Sequence, residues 1–358
     1  MVQIYKILLT VFFPSAIISI GASALLIPII LKLSRKYKWY DIPDERKLHT
    51  GLIPRIGGLA IWFSILLSFS LGLIFLKIFN IQVAIPIKPI LLFGVGITMI
   101  HGVGLYDDFS PLRARTKLLF QIIAALVIAI GGIRFHSIFL PLVGNIEVRF
   151  MSIPFTVFWI IGLTNALNLI DGMDGLAGGI SAFCALGMAI VLLIQGQFVS
   201  ALIAVSVFGA TCGFLIYNWP PASIFMGDSG SHLLGFILAV TPLIEPVQTN
   251  TITSILIPIT LLSIPIVDCG AAILRRIRYK RPLGKPDKEH IHHKLIALGL
   301  QPRKILLAVY IVSMCLLIVS LLLITFASEI VLYLFYFSFL SIIILYLILS
   351  FKKRLKLH

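Results

Sequence analysis

Eleven long apolar runs, separated by short polar, glycine or proline breaks, leave this chain little choice of environment. They are 5–31, 57–77, 87–105, 117–133, 153–170, 175–195, 199–217, 230–245, 252–274, 305–326 and 329–350. A bilayer-crossing helix takes ~20 predominantly apolar residues, and in hydrocarbon only a helix or a closed barrel satisfies its own backbone. With 59% apolar and 12% charged residues, a soluble globular domain is excluded. The predicted fold is an all-α polytopic membrane protein of about eleven transmembrane helices, a single domain over 1–358. Within it, 275–304 is the longest polar stretch, about the size of a helical hairpin. The first run exceeds the ~7–15 residues of a signal-peptide core and reads as a retained span. Residues 135–150 predict a small β-hairpin around a Gly144-Asn145 turn. Cys184, Cys212, Cys269 and Cys315 are isolated in apolar surroundings and suggest neither a disulfide framework nor a zinc site.

Charge assigns the sides. The chain carries 29 Lys and Arg against 14 Asp and Glu, a net +15. With eleven spans, seven cations fall in 32–56, three in 106–117, ten in 275–304 and four in 351–358, all on one side. The other side holds five: Lys6, Lys77, Lys88, Arg134 and Arg149. The positive-inside rule makes the rich side cytoplasmic, with the N-terminus outside and the C-terminus inside. The excess thereby reads as topology and anion binding, with no nucleic-acid partner.

Three acidic clusters fall on that same side, although the cation count did not use them. They are Asp107-Asp108, then Asn165, Asn168, Asp171 and Asp174 at three-residue steps, then Asp228 in Phe225-Met226-Gly227-Asp228-Ser229-Gly230. Taken singly, Asp174 and Asp228 also suit helix N-caps, and Asp107-Asp108 a solvated loop. Three clusters on one membrane face are better explained by function, since acids at membrane depth are costly. On a continuous helix Asn165 and Asp174 would end on opposite faces. Gly172 and Gly175 therefore predict a break near Ile170-Asp171, with the Asn pair on one side and the Asp pair entering the next span. Carboxylates, amides and hydroxyls together suit Mg²⁺, with Mn²⁺ as its substitute, held jointly by one or two carboxylates and substrate phosphates.

Cations complete the pattern. Arg275 to Arg281 lead into His290, His292 and His293, a weak zinc signal that fits anion binding better in so basic a loop. The alternative is a loop lying on anionic headgroups. Asp44 to His49 precede Pro54-Arg55-Ile56-Gly57-Gly58, whose backbone suits either a phosphate or helix packing. Lys117 reads as a snorkelling lysine or a phosphate contact. The implied substrates are a soluble polyphosphate and a lipid.

Six segments in order then resemble the polyprenyl-phosphate N-acetylhexosamine-1-phosphate transferases: PRIGGLAI at 54–61, GLYDDF at 104–109, RTK at 115–117, NALNLIDGMDGLAGG at 165–179, IFMGDSGS at 224–231 and DKEHIHHKL at 287–295. The resemblance implies Mg²⁺-dependent transfer of a sugar-1-phosphate from a UDP-sugar to a polyprenyl phosphate, with UMP released. It implies a multi-pass protein of the bacterial inner membrane, a site facing the cytoplasm, and a homodimer. Carried over by motif, Asp228 is the metal ligand and Asp107 the candidate base. Asp108, Asn165, Asn168, Asp171 and Asp174 position substrate or metal, and Phe225 stacks on uracil. His290, His292, His293, Arg55 and Lys117 contact phosphates. Pro111 stands where some members carry a further acid, which shifts weight to Asp228.

The single HIHH run resembles the branch that uses UDP-GlcNAc to start O-antigen or teichoic acid linkage. UDP-MurNAc-pentapeptide or another UDP-HexNAc is the alternative donor. Direct attack on the β-phosphorus and a two-step aspartyl route both remain open. A transporter also shows acids and broken helices, but these acids lie at span ends on one face and no repeat is visible. The paired Asp-rich motifs of membrane prenyltransferases are absent.

Overall fold

The computed structural model describes residues 2–40, 53–140, 144–245, 252–280 and 289–325, then 333, 336–344, 346 and 348. Helix α1 (Val2–Ile7) passes through a π turn into α2 (Phe13–Tyr37). Next come α3 (Gly57–Ile78), α4 (Ile87–Phe109) and α5 (Ala114–Ile130). A hairpin of β1 (Ser137–Leu140) and β2 (Gly144–Glu147) leads to α6 (Ser152–Ile170), α7 (Leu176–Ile194) and α8 (Phe198–Asn218). Then follow α9 (Gly227–Val240), α10 (Ile252–Leu261), α11 (Ser263–Arg278), α12 (Ile291–Ala297) and α13 (Pro302–Thr325).

The chain is a multi-pass, all-α membrane protein. Among the described residues seven helices are long and apolar enough to cross a bilayer, or eight if α10 and α11 form one span bent by 81°. The bend has a local cause. Pro265 lacks the N–H that would bond the Leu261 carbonyl and continue α10, and it sits in the first turn of α11, where that N–H is not needed. Of the other expected spans, α5 has 17 residues and α9 has 14. The run 329–350 lies partly outside the described residues.

Burial identifies the centre. The most apolar stretches of α7 and α8 are 78% buried, against 22–44% in the other spans. Beside them α9 is buried along its whole length, packed against α3, α4 and α6. Hydrocarbon supplies no hydrophobic drive for helices to associate, so close packing and polar contacts between helices must do it. Ser68 Oγ donates to the Ser15 carbonyl at 2.8 Å and Ser19 Oγ to the Ser206 carbonyl at 2.6 Å, tying α2, α3 and α8.

The hairpin at 135–150 is present, with one correction. Its register pairs Phe139 with Asn145 and Leu140 with Gly144, so Gly144-Asn145 belongs to β2 and is not the turn. Their backbones are used in strand pairing, and the connection falls to 141–143, outside the described residues.

Candidate active site

Five helix ends meet where α9 begins. At the end of α4, Asp108 turns toward α9 and accepts hydrogen bonds from the Asp228 and Ser229 N–H groups, at 2.7 and 3.1 Å. A helix N-terminus leaves N–H groups unpaired and carries partial positive charge, so a carboxylate there is favourable twice over. The cap of α9 thus comes from another helix, and the side chain of Asp228 is released from capping. Two glycines permit this approach. A Cβ on Gly104 would lie 2.6 Å from Ser229 Cα, and Gly227 sits at φ +69° with the Asp108 carboxylate 2.5 Å from where its Cβ would be.

Released in this way, Asp228 faces the cations. Lys117 Nζ, on the first turn of α5, lies 2.7 Å from Asp228 Oδ2 and 3.1 Å from Asp107 Oδ2. Asp107 Oδ1 accepts from the Leu112 N–H at 2.6 Å, which fixes the carboxylate across the α4–α5 turn. Asn168 Nδ2, from the last turn of α6, is 3.3 Å from Asp228 Oδ1 and 2.9 Å from Ser231 Oγ. Arg55 reaches Asp228 Oδ1 at 3.9 Å from the start of α3. Its segment is tied to the Asp228 segment by backbone: the Phe225 N–H donates to the Pro54 carbonyl at 2.8 Å, and the Gly57 N–H to the Phe225 carbonyl at 2.9 Å. The half-buried Phe225 is therefore held beside Arg55.

The break after α6 is where the glycines place it, since α6 ends at Ile170 and Gly175 takes a left-handed conformation before α7. Asp171 and Asp174 lie in the connection, however, rather than in the next helix. Burial, reinforced by the Asp228 carboxylate and opposed by Arg55, pushes the Asp171 carboxyl up to about 7. Asp174 Oδ2 accepts from the Ala222 N–H at 2.9 Å, and Asn165 Nδ2 donates to Gln121 Oε1 at 2.7 Å. Those two shape the rim of the site.

The histidines join from α12. His292 is 1% exposed and packs on Gly172, where a Cβ would come within 2.6 Å of Nε2. Burial, then the neighbouring His293 and His290, lower it to about 3, so it is neutral. The His293 ring centroid is 4.2 Å from that of His292. His290 Nδ1 lies 2.7 Å from Asp268 Oδ2 on α11. Asp44 to His49 and Asp287-Lys288 lie outside the described residues.

Sequence reasoning missed Asp268, Gln121, Ser231 and His232, whose Nδ1 is 3.9 Å from Asp228 Oδ2. Asp268 carried a signal, being a lone acid in the apolar run 263–269. Ser231 closed the IFMGDSGS motif, while Gln121 and His232 carried no signal, since a lone polar residue in a span usually serves helix packing.

The donor chemistry suits a hard cation. Among the described residues, Asp228 Oδ1 has the Asn168 amide at 3.3 Å and the Arg55 guanidinium at 3.9 Å as neighbours, neither of them short, which leaves lone pairs for a ligand. Among the described residues no three His, Cys, Asp or Glu side chains converge as a metal cage. Asp228, with Asp107 nearby, could hold Mg²⁺, which takes one or two carboxylates and fills its shell with water and phosphate oxygens.

Residues 90–245 match the family described as "Glycosyl transferase family 4". The chain is 37% identical over 298 residues to a probable undecaprenyl-phosphate N-acetylglucosaminyl 1-phosphate transferase of Bacillus subtilis (strain 168), covering 83% of this chain and 80% of the relative. It is 33% identical over 299 residues to the decaprenyl-phosphate N-acetylglucosaminephosphotransferase of Mycobacterium tuberculosis (strain ATCC 25618 / H37Rv), covering 75% and 72%. To the undecaprenyl-phosphate alpha-N-acetylglucosaminyl 1-phosphate transferase of Escherichia coli (strain K12) it is 28% identical over 284 residues, covering 76% and 73%.

Proposed function

We propose that this chain, which belongs to glycosyl transferase family 4, transfers N-acetylglucosamine-1-phosphate from UDP-GlcNAc to a polyprenyl phosphate and releases UMP. The observation that carries the reading is the Asp107–Lys117–Asp228 bridge, with Asn168 and Arg55 on the second oxygen of Asp228. The relatives' names supply the sugar and the lipid class.

The chemistry needs charge control before anything else. A lipid phosphate and a nucleoside diphosphate are both anions, and the reacting oxygen must approach a phosphorus ringed by negative oxygens. In the direct route a lipid phosphate oxygen forms a bond to the β-phosphorus, and the bond from that phosphorus to the UMP oxygen breaks. Lys117 and Arg55 offer positive charge where this occurs, and fixed cations act more strongly in a site shielded from water. Asp107, held by the Leu112 N–H and Lys117, is the base for a protonated lipid phosphate. Asp108 is spent on the cap of α9, so its part is to place Asp228. Asn168 and Asp171 orient the donor, and Phe225 offers a ring for uracil. Asp228, with Asp107 nearby, would hold Mg²⁺, which when bound would neutralise diphosphate charge. Positioning contributes the remainder, since the protein supplies little covalent chemistry in phosphoryl transfer.

The site faces the cytoplasm of a bacterial inner membrane, supported by the 24 of 29 cations that share its side. The product starts a cell-envelope glycan. The test is a donor panel with polyprenyl phosphate, scored by UMP release. Turnover with UDP-GlcNAc is the expected result. Turnover only with UDP-MurNAc-pentapeptide corrects the donor, and silence with every UDP-sugar overturns the reading.

A further inference from the structure

Asp268 is a buried acid that the transfer chemistry above leaves without a task. It lies one and a half turns into α11, beyond the bend from α10, and is 1% exposed. An ionised carboxylate is kept at such a place only when fully paired. Both of its oxygens are used on one short segment. Oδ2 is 2.7 Å from His290 Nδ1, and Oδ1 accepts from the Ile291 N–H at 2.9 Å. A carboxylate oxygen can only accept, so with Asp268 as the carboxylate His290 donates from Nδ1. That fixes the ring's tautomer and its plane, and it leaves Nε2 as the ring's other polar atom.

The held ring holds more. His290 lies parallel to His292, with an interplanar angle of 5° and centroids 5.9 Å apart. His292 in turn rests on Gly172, in the connection that carries Asp171 and Asp174. A carboxylate on α11 therefore registers the histidine segment against the acidic loop. Neither ring nitrogen of His292 has a hydrogen-bond partner among the described residues, so this ring is seated by packing and by what holds its neighbour.

We infer that Asp268 is a positioning residue for the transfer reaction, acting through a hydrogen bond to His290 Nδ1 that leaves Nε2 to face the substrate phosphates, where it donates when the ring carries a second proton. The inference rests on the transferase reading for its last step, and on the geometry of Asp268 and His290 for the rest. Asp268 touches neither substrate nor reacting atoms. Its counterpart in general chemistry is the carboxylate that holds a functional histidine, whose removal costs about 10- to 100-fold.

The experiment compares purified full-length wild type with Asp268→Asn, His290→Gln and the double variant, using UMP release to obtain kcat and KM for UDP-GlcNAc. Asn keeps one acceptor for the Ile291 N–H but puts an N–H donor against His290 Nδ1, which turns the ring to the opposite tautomer. Asp268→Asn is expected to lower kcat/KM about 10-fold or more. The double variant is expected to fall no further than His290→Gln, because the two act as a unit. Losses that multiply in the double variant, or an Asp268→Asn enzyme with wild-type kinetics, overturn the proposal.

A second measurement needs neither turnover nor a folded variant. In wild-type protein labelled with ¹⁵N at histidine, the His290 ring is expected to carry a proton on Nδ1. A ring protonated at Nε2 alone overturns the assignment. If wild type releases no UMP from any donor, the transferase reading fails, while the Nδ1 signal still decides whether Asp268 holds His290.

Discussion

Lys117 stands between two carboxylates, 2.7 Å from Asp228 and 3.1 Å from Asp107, with its side chain 24% exposed. One ammonium thus compensates two acids that are themselves only 12% and 10% exposed. Removing it leaves like charges facing each other in a poorly solvated place. Lys117→Met is expected to lower stability by about 2 kcal/mol, discounted for partial exposure, and to lower kcat about 100-fold. Lys117→Arg keeps the charge but not the compact head, so it recovers stability more than rate. Thermal unfolding in detergent and UMP release check the two arms separately, and a Lys117→Met enzyme with unchanged kcat would remove Lys117 from the chemistry.

Asp228 is expected to be needed for turnover and dispensable for the fold. Its backbone N–H is used by Asp108 and does not depend on the side chain. Asp228→Asn should therefore stay folded and melt below wild type only by the lost Lys117 pairing, about 1–2 kcal/mol, while UMP release drops by about 10³-fold. Chelation should stop the wild-type reaction, and Mg²⁺ should restore it, with Mn²⁺ as a weaker substitute. Full activity in excess chelator would show that the carboxylate acts without a metal.

Much of this arrangement is legible in the sequence, and the parts that are not have a common cause. Apolar runs bounded by Gly, Pro and charge give α3, α4, α6, α7, α8 and α13 within a few residues, because each boundary is local chemistry. The break at Ile170-Asp171 is legible for the same reason. The run 230–245 is not, since α9 stops at Val240 and a 3-10 turn with Pro242 follows, so apolar content outlasts the helix. Partnerships across the chain are also hidden. Asp108 caps a helix 120 residues later, and Asp268 holds a histidine 22 residues away. Both acids look free in the sequence, and Asp174, which suits an N-cap of its own helix, instead binds the Ala222 N–H.

Gly227 offers a test of the capping geometry that leaves every ionisable group in place. Its φ of +69° is a left-handed conformation, and a Cβ there would collide with the Arg55 carbonyl and the Asp108 carboxylate. Gly227→Ala is expected to cost about 2–3 kcal/mol, from the strained backbone and the displaced cap together. Activity should fall with it, because Asp228 moves with the helix start. Gly21→Ala is the control: nothing lies within 4 Å of its Cβ position in α2, so it should be neutral or slightly stabilising. Equal melting temperatures for the two variants would refute the cap.

His292 makes a prediction about acid. The folded protein holds it neutral, lowered from 6.5 to about 3 by burial and by His293 and His290. The unfolded chain takes up a proton on this ring below about 6.5, where the folded chain does not. Its contribution to stability is therefore complete above 6.5 and is lost as pH falls from there toward 3. Going from pH 7.5 to 5.5, this one ring should account for about 1 kcal/mol of lost stability. His292→Leu removes the proton uptake, and because neither ring nitrogen is hydrogen-bonded it abandons no partner. The variant should melt with a shallower pH dependence than wild type across that interval, while its activity reports separately on any contact between His292 and phosphate. Parallel pH slopes for the two proteins would mean that the ring takes up its proton equally in both states, against its burial on Gly172.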